Sequence, residues 1–144
     1  AGIWSAPASE LRKTIEETGK NPLLIRTEDE FAGLFPWVMA EPPFIPRPIM
    51  NVLAQERIRN FDLEQRIFTQ IASDSIEERI RGLETPTLIV WGDKDRTINV
   101  ATVEVLRGLL PRSQAVIMPG IGHVPIIERP QQSADDYLRF RSGL

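Results

Sequence analysis

The sequence predicts an α/β fold: a helical first half followed by a second half in which strands and helices alternate. Residues 1–84 show helical periodicity broken by proline-rich stretches, whereas residues 85–144 read strand, helix, strand, helix. Strands joined through a helix pair in parallel with a right-handed crossover. Two strands are too few to cover helices on both faces. We therefore expect an incomplete fold, whose sheet continues in residues that this chain does not contain.

The first half contains several predicted helices. Residues 9–20 form a charged, helix-favouring segment that should end near Gly19. Thr27 and Glu30 have the spacing of a capping box, so a second helix should begin there and stop by Phe35 or Pro36.

Residues 36–48 carry five prolines and are expected to be irregular. Helical periodicity then resumes in IMNVLAQERI and FDLEQRIFTQIA, and DSIEERIRGL predicts a short helix that ends around Gly82.

The second half has two short apolar runs of strand character. TLIVW at 87–91 is continuous and rich in β-branched residues, which predicts a strand buried on both faces. QAVIMP at 114–119 predicts its neighbour. Helices are expected over 99–110 and 130–141, the second opening on a proline.

Composition excludes several classes of function. The 144 residues are 42% apolar and 26% charged, with a net charge of −3, so no nucleic-acid partner is indicated. There is no cysteine and one histidine, so neither disulfides nor a transition-metal site is expected. Localisation stays open, although a cytoplasmic or membrane-associated protein is favoured over a disulfide-bearing secreted one. The opening residues lack signal-peptide features and an initiator methionine, so we expect the chain to begin partway through a longer protein.

Acidic residues and the single histidine follow the two predicted strands. Asp93 and Asp95 lie in the turn after the first strand, and His123 lies in a GIGH loop after the second. Loops at the carboxyl ends of parallel neighbours emerge on the same side of a sheet. A carboxylate and an imidazole meeting there can serve as the acid and base of a catalytic triad. Asp93 is expected to be a solvated turn carboxylate.

These motifs resemble those of the α/β-hydrolase family. TPTLIVWGDKD, the LLP turn, PGIGHVP and ERP are similar to its carboxyl-terminal part, and His123 follows Asp95 by 28 positions, as in that family. The resemblance implies that 85–144 is the last strand-helix-strand-helix part of the core, with Asp95 as triad acid and His123 as general base. Glu128 and Pro130 would shape the turn into the last helix, and Trp91 would pack beneath the acid loop.

Residues 1–84 resemble, less specifically, the helical cap, or lid, that the family inserts after its sixth strand. The opening AGI and the spacing of apolar residues are similar to the monoacylglycerol lipase and esterase (ABHD-six-like) branch. This branch implies a lipid-like or other small ester as substrate, with no cofactor or metal. Ester sites are mostly apolar, so we expect an acyl pocket lined by some of the following residues: Phe35, Trp37, Met39, Phe44, Ile49 and Val124.

The family's nucleophile lies in a G-x-S-x-G turn, and none of the seven serines of this chain has flanking glycines at that spacing. We therefore expect the chain alone to be inactive and to be ordered by a partner: the amino-terminal half of the same hydrolase, or a second copy that pairs or swaps elements. Carbon–carbon bond hydrolases, epoxide hydrolases and dehalogenases share the fold and remain alternatives. So does a non-catalytic self-associating module.

Overall fold

The computed structural model describes residues 2–144 and contains eight helices and two strands in that range. Their bounds, in chain order, are α1 Glu10–Thr18, α2 Glu28–Val38, α3 Arg47–Arg59, α4 Phe61–Ser73, α5 Glu77–Ile80, β1 Thr87–Gly92, α6 Thr102–Leu109, β2 Ser113–Met118, α7 Pro125–Glu128 and α8 Pro130–Ser142.

The strands β1 and β2 form a parallel pair, as the sequence predicted, with Thr87 opposite Ser113 and Gly92 opposite Met118. Helix α6 connects them and packs on β2, while α7 and α8 contact β1. The prediction that β1 is buried on both faces is wrong for the described residues. Only Ile89 and Gly92 of that strand are buried, since the helices α7 and α8 that contact β1 cover it only in part.

Helix α2 begins as predicted and ends later than predicted. The Thr27 hydroxyl accepts a hydrogen bond from the Glu30 amide at 3.1 Å, and the Glu30 carboxylate accepts one from the Thr27 amide at 3.2 Å, completing the capping box. The helix passes through Pro36 and ends at Val38. Pro48 likewise lies in the first turn of α3, so only the middle of the proline-rich stretch is irregular.

The first 84 residues have an apolar core of their own. Phe31 and Leu34 of α2 pack on Ala54 of α3 and on Ile25 of the preceding loop. Arg57 of α3 donates to the Leu23 carbonyl and thereby fixes that loop. This packing orients α2 so that its carboxyl end points at the loops that follow β1 and β2.

Backbone hydrogen bonds join the helical region to the strands. The Leu11 amide of α1 donates to the Arg96 carbonyl at 2.9 Å, and the Gly82 amide donates to the Leu109 carbonyl at 2.8 Å. Since the first of these bonds ends on the residue after Asp95, α1 directly supports the loop that carries the candidate acid.

Candidate active site

Asp95 and His123 are in direct contact. Asp95 follows β1, His123 follows β2, and Nδ1 of the imidazole lies 2.8 Å from Oδ2 of the carboxylate. The contact exists because the two strands are parallel neighbours, so that their following loops share one edge of the sheet. The sequence predicted this pair, and the structure brings it together.

The carboxylate of Asp95 is buried and fully engaged. Its side chain is only 2% exposed, and Oδ1 accepts hydrogen bonds from the Thr97 amide at 2.8 Å, the Thr97 hydroxyl at 2.7 Å and the Ile98 amide at 3.0 Å. Burial alone would raise the pKa of Asp95, but the bonds from His123, Ile98 and Thr97 outweigh it and hold the pKa below its ordinary value. The group is therefore a fixed anion that faces the imidazole.

Thr97 and Ile98 were not singled out from the sequence. The signal was present, since an aspartate whose side chain accepts from the amide two residues later is a familiar turn. In this turn Oδ1 is held by the loop, and Oδ2 is left for the histidine.

His123 is more accessible than its partner, with 36% of its side chain exposed. The carboxylate at Nδ1 favours the tautomer with its proton there, which leaves Nε2 as the ring's acceptor. The backbone amide of His123 donates to the Val38 carbonyl at 3.0 Å, so the end of α2 also positions the residue.

The loop after β1 (residues 93–101, called the acid loop) and the loop after β2 (residues 119–124, called the base loop) meet at Gly92, the last residue of β1, where only glycine fits. A Cβ atom at this position would lie 2.1 Å from the carbonyl oxygens of both Ile121 and Gly122. The Lys94 amide donates to the Ile121 carbonyl at 2.9 Å. The two loops are therefore in contact through their backbones as well as through the acid–base pair.

Asp93 differs from its predicted role. Its carboxylate accepts a hydrogen bond from the Gly120 amide at 2.7 Å, and only a third of its side chain is exposed. Asp93 thus links the two loops: its side chain belongs to the acid loop and binds an amide of the base loop. It is Asp95, and not Asp93, that is hydrogen-bonded to the imidazole.

Residues 36–41, called the stem below, comprise the last residues of α2 and the three residues that follow it, and they lie against both loops. Arg96, next to the acid, donates to the Pro36 carbonyl at 2.9 Å and stacks over the Trp37 ring at 4.1 Å. Arg96 also forms an ion pair with Glu10 of α1. The stem is therefore in contact with the acid loop through Arg96 and with the base loop through Val38.

Glu128 ties the stem to the base loop a second time. Its Oε1 accepts from the Gly122 amide at 2.9 Å, and its Oε2 accepts from the amides of Ala40 at 2.8 Å and Glu41 at 3.0 Å. The sequence predicted only a role in the turn into the last helix, where α7 was not foreseen. Nothing in the local sequence indicates bonds that span 88 positions.

The residues predicted to line an acyl pocket fall into different surroundings. Val124 adjoins the base, and Trp37 and Met39 lie in the stem, all three half-buried. Phe35 packs edge-on against Phe31 within the core of the first region. The remaining two candidates are exposed to solvent: Phe44 at 91% and Ile49 at 53%.

An open cavity of about 600 Å³ lies beside α8 and is lined by Glu128, Arg129, Asp135, Asp136 and Arg139 among others; it includes neither Asp95 nor His123. Among residues 2–144 no group of three or more acidic or histidine side chains is placed to hold a metal. Within the same range no helix is both long and apolar enough to cross a bilayer.

Comparison with known proteins identifies the family to which the fold and the Asp95–His123 pair point. A family model described as the alpha/beta hydrolase fold matches residues 5–130. The chain belongs to the α/β-hydrolase family. The predicted fold class is thereby confirmed, including its incomplete sheet, since this α/β-hydrolase chain spans about half the length of the curated relatives it matches.

Curated relatives of the chain include several lipases. The chain is 43% identical to Lipase 3 of Moraxella sp. (strain TA144) and 42% identical to Lipase 1 of Psychrobacter immobilis, in each case over all of this chain and 46% of the relative. It is 30% identical to monoacylglycerol lipase abhd6-B of Xenopus laevis, over 92% of this chain and 41% of that protein.

Solved structures of hydrolases superpose on the chain. A membrane phospholipase A superposes with a TM-score of 0.92 at 36% identity, covering 99% of this chain and 46% of that one. A serine hydrolase involved in carbazole degradation superposes with a TM-score of 0.68 at 27% identity, covering 82% of this chain and 48% of that one.

Proposed function

We propose that this chain supplies the acid, the base and the substrate cap of a serine ester hydrolase of the lipase type. The observation that carries the proposal is the 2.8 Å contact between the buried Asp95 carboxylate and the accessible His123 ring. The lipase names of the relatives favour esters over other substrates of this fold.

In this mechanism His123 acts as general base and then as general acid. Its Nε2 takes the proton of a serine hydroxyl, the serine oxygen attacks the ester carbonyl, and the protonated imidazole then gives its proton to the departing alcohol. A water molecule, deprotonated in turn by His123, releases the acid product from the acyl-enzyme. Asp95 fixes the tautomer of the ring and stabilises the imidazolium formed in each half-reaction.

The serine nucleophile of this proposal lies outside these 144 residues, because no serine here stands in a G-x-S-x-G turn. The proposed domains are a cap over 1–84 and the last part of the core over 85–144. The stem, which is part of the proposed cap, would bring Trp37 and Met39 towards the acyl group beside Val124. Phe44 and Ile49, which follow the stem in the sequence, are exposed apolar residues that would contact a long acyl chain.

Two measurements on full-length protein and isolated chain test the proposal. The full-length protein should hydrolyse p-nitrophenyl butyrate, and His123→Ala should abolish this activity. The isolated chain should release nitrophenol only at background rate, because both nucleophile and oxyanion hole are lacking. Turnover by the isolated chain that disappears with His123→Ala would refute this location of the nucleophile.

A carbon–carbon bond hydrolase is the second candidate, since such enzymes share this fold and the chain is similar to a serine hydrolase involved in carbazole degradation. The same acid and base would serve either reaction. Comparison of the full-length protein on p-nitrophenyl esters and on a vinylogous 1,5-diketone substrate separates the two, since the lipase proposal requires the ester to have the larger kcat/KM.

A further inference from the structure

Glu128 connects the base loop to the stem more directly than any other side chain described above. One carboxylate accepts three backbone N–H groups: Gly122 from the residue before the base, and Ala40 and Glu41 from the stem. We propose that Glu128 is a positioning residue of the hydrolase, which holds the stem and the general base at a fixed position relative to each other. The inference rests on the proposed function of the His123–Asp95 pair.

The two oxygens of Glu128 serve different segments. Oε1 binds the base loop only, and Oε2 binds the stem only. Hydrogen bonds to an ionised carboxylate are shorter and stronger than those between neutral groups. Because the carboxylate is a rigid plane, a shift of the stem that carries Oε2 with it also moves Oε1, and with it the amide that precedes His123.

The backbones of the stem and the base loop are in close contact. A Cβ atom on Gly122 would lie 2.7 Å from the Ala40 nitrogen and 2.9 Å from the Met39 Cα. The His123 amide itself donates to the Val38 carbonyl. The base is therefore bracketed by bonds to the stem at two successive amides, one direct and one through Glu128.

At its amino-terminal end the stem is continuous with the rest of α2, which is packed in the core of the first region. Helix α2, which leads into the stem, packs through Phe31 and Leu34 in the core of the first region. A substrate that displaces α2 would act on the stem, and Glu128 would transmit the displacement to His123. The charged neighbour Arg129 pairs with the Glu41 carboxylate at 2.8 Å, a separate link that does not involve the amides of the base loop.

The test compares Glu128→Gln with the matched control Glu41→Gln in the full-length protein. Both substitutions remove one negative charge from the same contact region. Glutamine at 128 has one oxygen, so its NH₂ group must face the amide donors of either the base loop or the stem. Glu41→Gln weakens the pair with Arg129 and leaves the acceptors of Glu128 intact.

We expect Glu128→Gln to lower kcat for p-nitrophenyl acetate by about tenfold to a hundredfold, the scale of a misplaced catalytic group, with KM changed much less. Amide hydrogen exchange should accelerate in both segments, 38–41 and 120–123. Glu41→Gln should leave kcat and the exchange of 120–123 close to wild type. If Glu128→Gln does not fold, Glu128→Asp replaces it, because the shorter acid can reach only one of the two segments.

An unchanged kcat in a folded Glu128 variant would overturn the inference, as would faster exchange in one segment alone. Failure of the wild-type protein to hydrolyse any ester would instead remove the proposed function. In that event the exchange measurement still decides whether Glu128 couples the two segments.

Discussion

Substitution of Asp95 by asparagine tests the acid–base pair most directly. The side-chain amide has two possible orientations at this site. In one, its oxygen keeps the three bonds from Thr97 and Ile98, and its NH₂ group faces Nδ1 of His123. In the other, the NH₂ group faces those three donors and the oxygen faces the ring.

The first orientation has four hydrogen bonds, three to the oxygen and one from the NH₂ group to Nδ1. The second has two, one from the ring N–H to the oxygen and one from the NH₂ group to the Thr97 hydroxyl. The first is therefore favoured by two bonds, or about 2 kcal/mol at about 1 kcal/mol per net bond. With an NH₂ donor opposite it, Nδ1 must become an acceptor, and the ring proton moves to Nε2. The base then has no lone pair for the nucleophile, and kcat should fall by about 10⁴, as in serine proteases treated in the same way.

Two assays read out this change. The first is kcat of the full-length protein, and the second is the ¹⁵N spectrum of the imidazole, which is assigned at once in the isolated chain because the chain has a single histidine. Asp93→Asn is the control, since its oxygen can still accept from the Gly120 amide. A larger loss of kcat for Asp93→Asn than for Asp95→Asn, or an unchanged tautomer in Asp95→Asn, would refute the assignment of the acid.

Three further predictions concern stability and assembly. The native pKa of Asp95 lies below its unfolded value of about 3.9; its contribution to stability is therefore fully present above about pH 4 and is lost as pH falls through the lower native pKa. Urea unfolding below pH 4 should show a steeper loss for wild type than for Asp95→Asn, and parallel curves would contradict this. Gly92→Ala should lower the free energy of unfolding by about 3 kcal/mol or more, because it forces the two loops apart. Gly108→Ala, at a helical site with open space, should raise it by up to about 1 kcal/mol. Equal shifts of the thermal midpoint in the two variants would contradict this. In residues 2–144 β1 pairs with β2 alone, so the isolated chain should self-associate or bind an amino-terminal half in analytical ultracentrifugation at micromolar concentration, and a compact, cooperatively folding monomer would argue against it.

Short sequence patterns correctly predicted several helices and strands. The capping box at Thr27, the apolar run of β1 and the proline that opens α8 each depend on a few neighbouring residues, and each predicted element is present. The pairing of Asp95 with His123 was also predictable, because a parallel strand pair brings the two following loops together.

The end of α2 was not predictable from its own residues. Proline at 36 argues for an earlier stop, yet the last carbonyls of the helix find donors elsewhere: Arg96 for Pro36 and the His123 amide for Val38. These bonds cross 60 or more positions, so they satisfy the helix end in a way that no local rule can express. The bonds of Glu128 were missed for the same reason.

The separation of these contacts along the chain has a consequence for the order in which they form. The acid–base pair closes a loop of 28 residues, whereas the bond from Glu128 to Ala40 closes one of 88. The entropy of closing the longer loop is greater by about 1 kcal/mol. We therefore expect Asp95 and His123 to meet before residues 1–84 dock, and the contact between Glu128 and Ala40 to form later on the folding pathway.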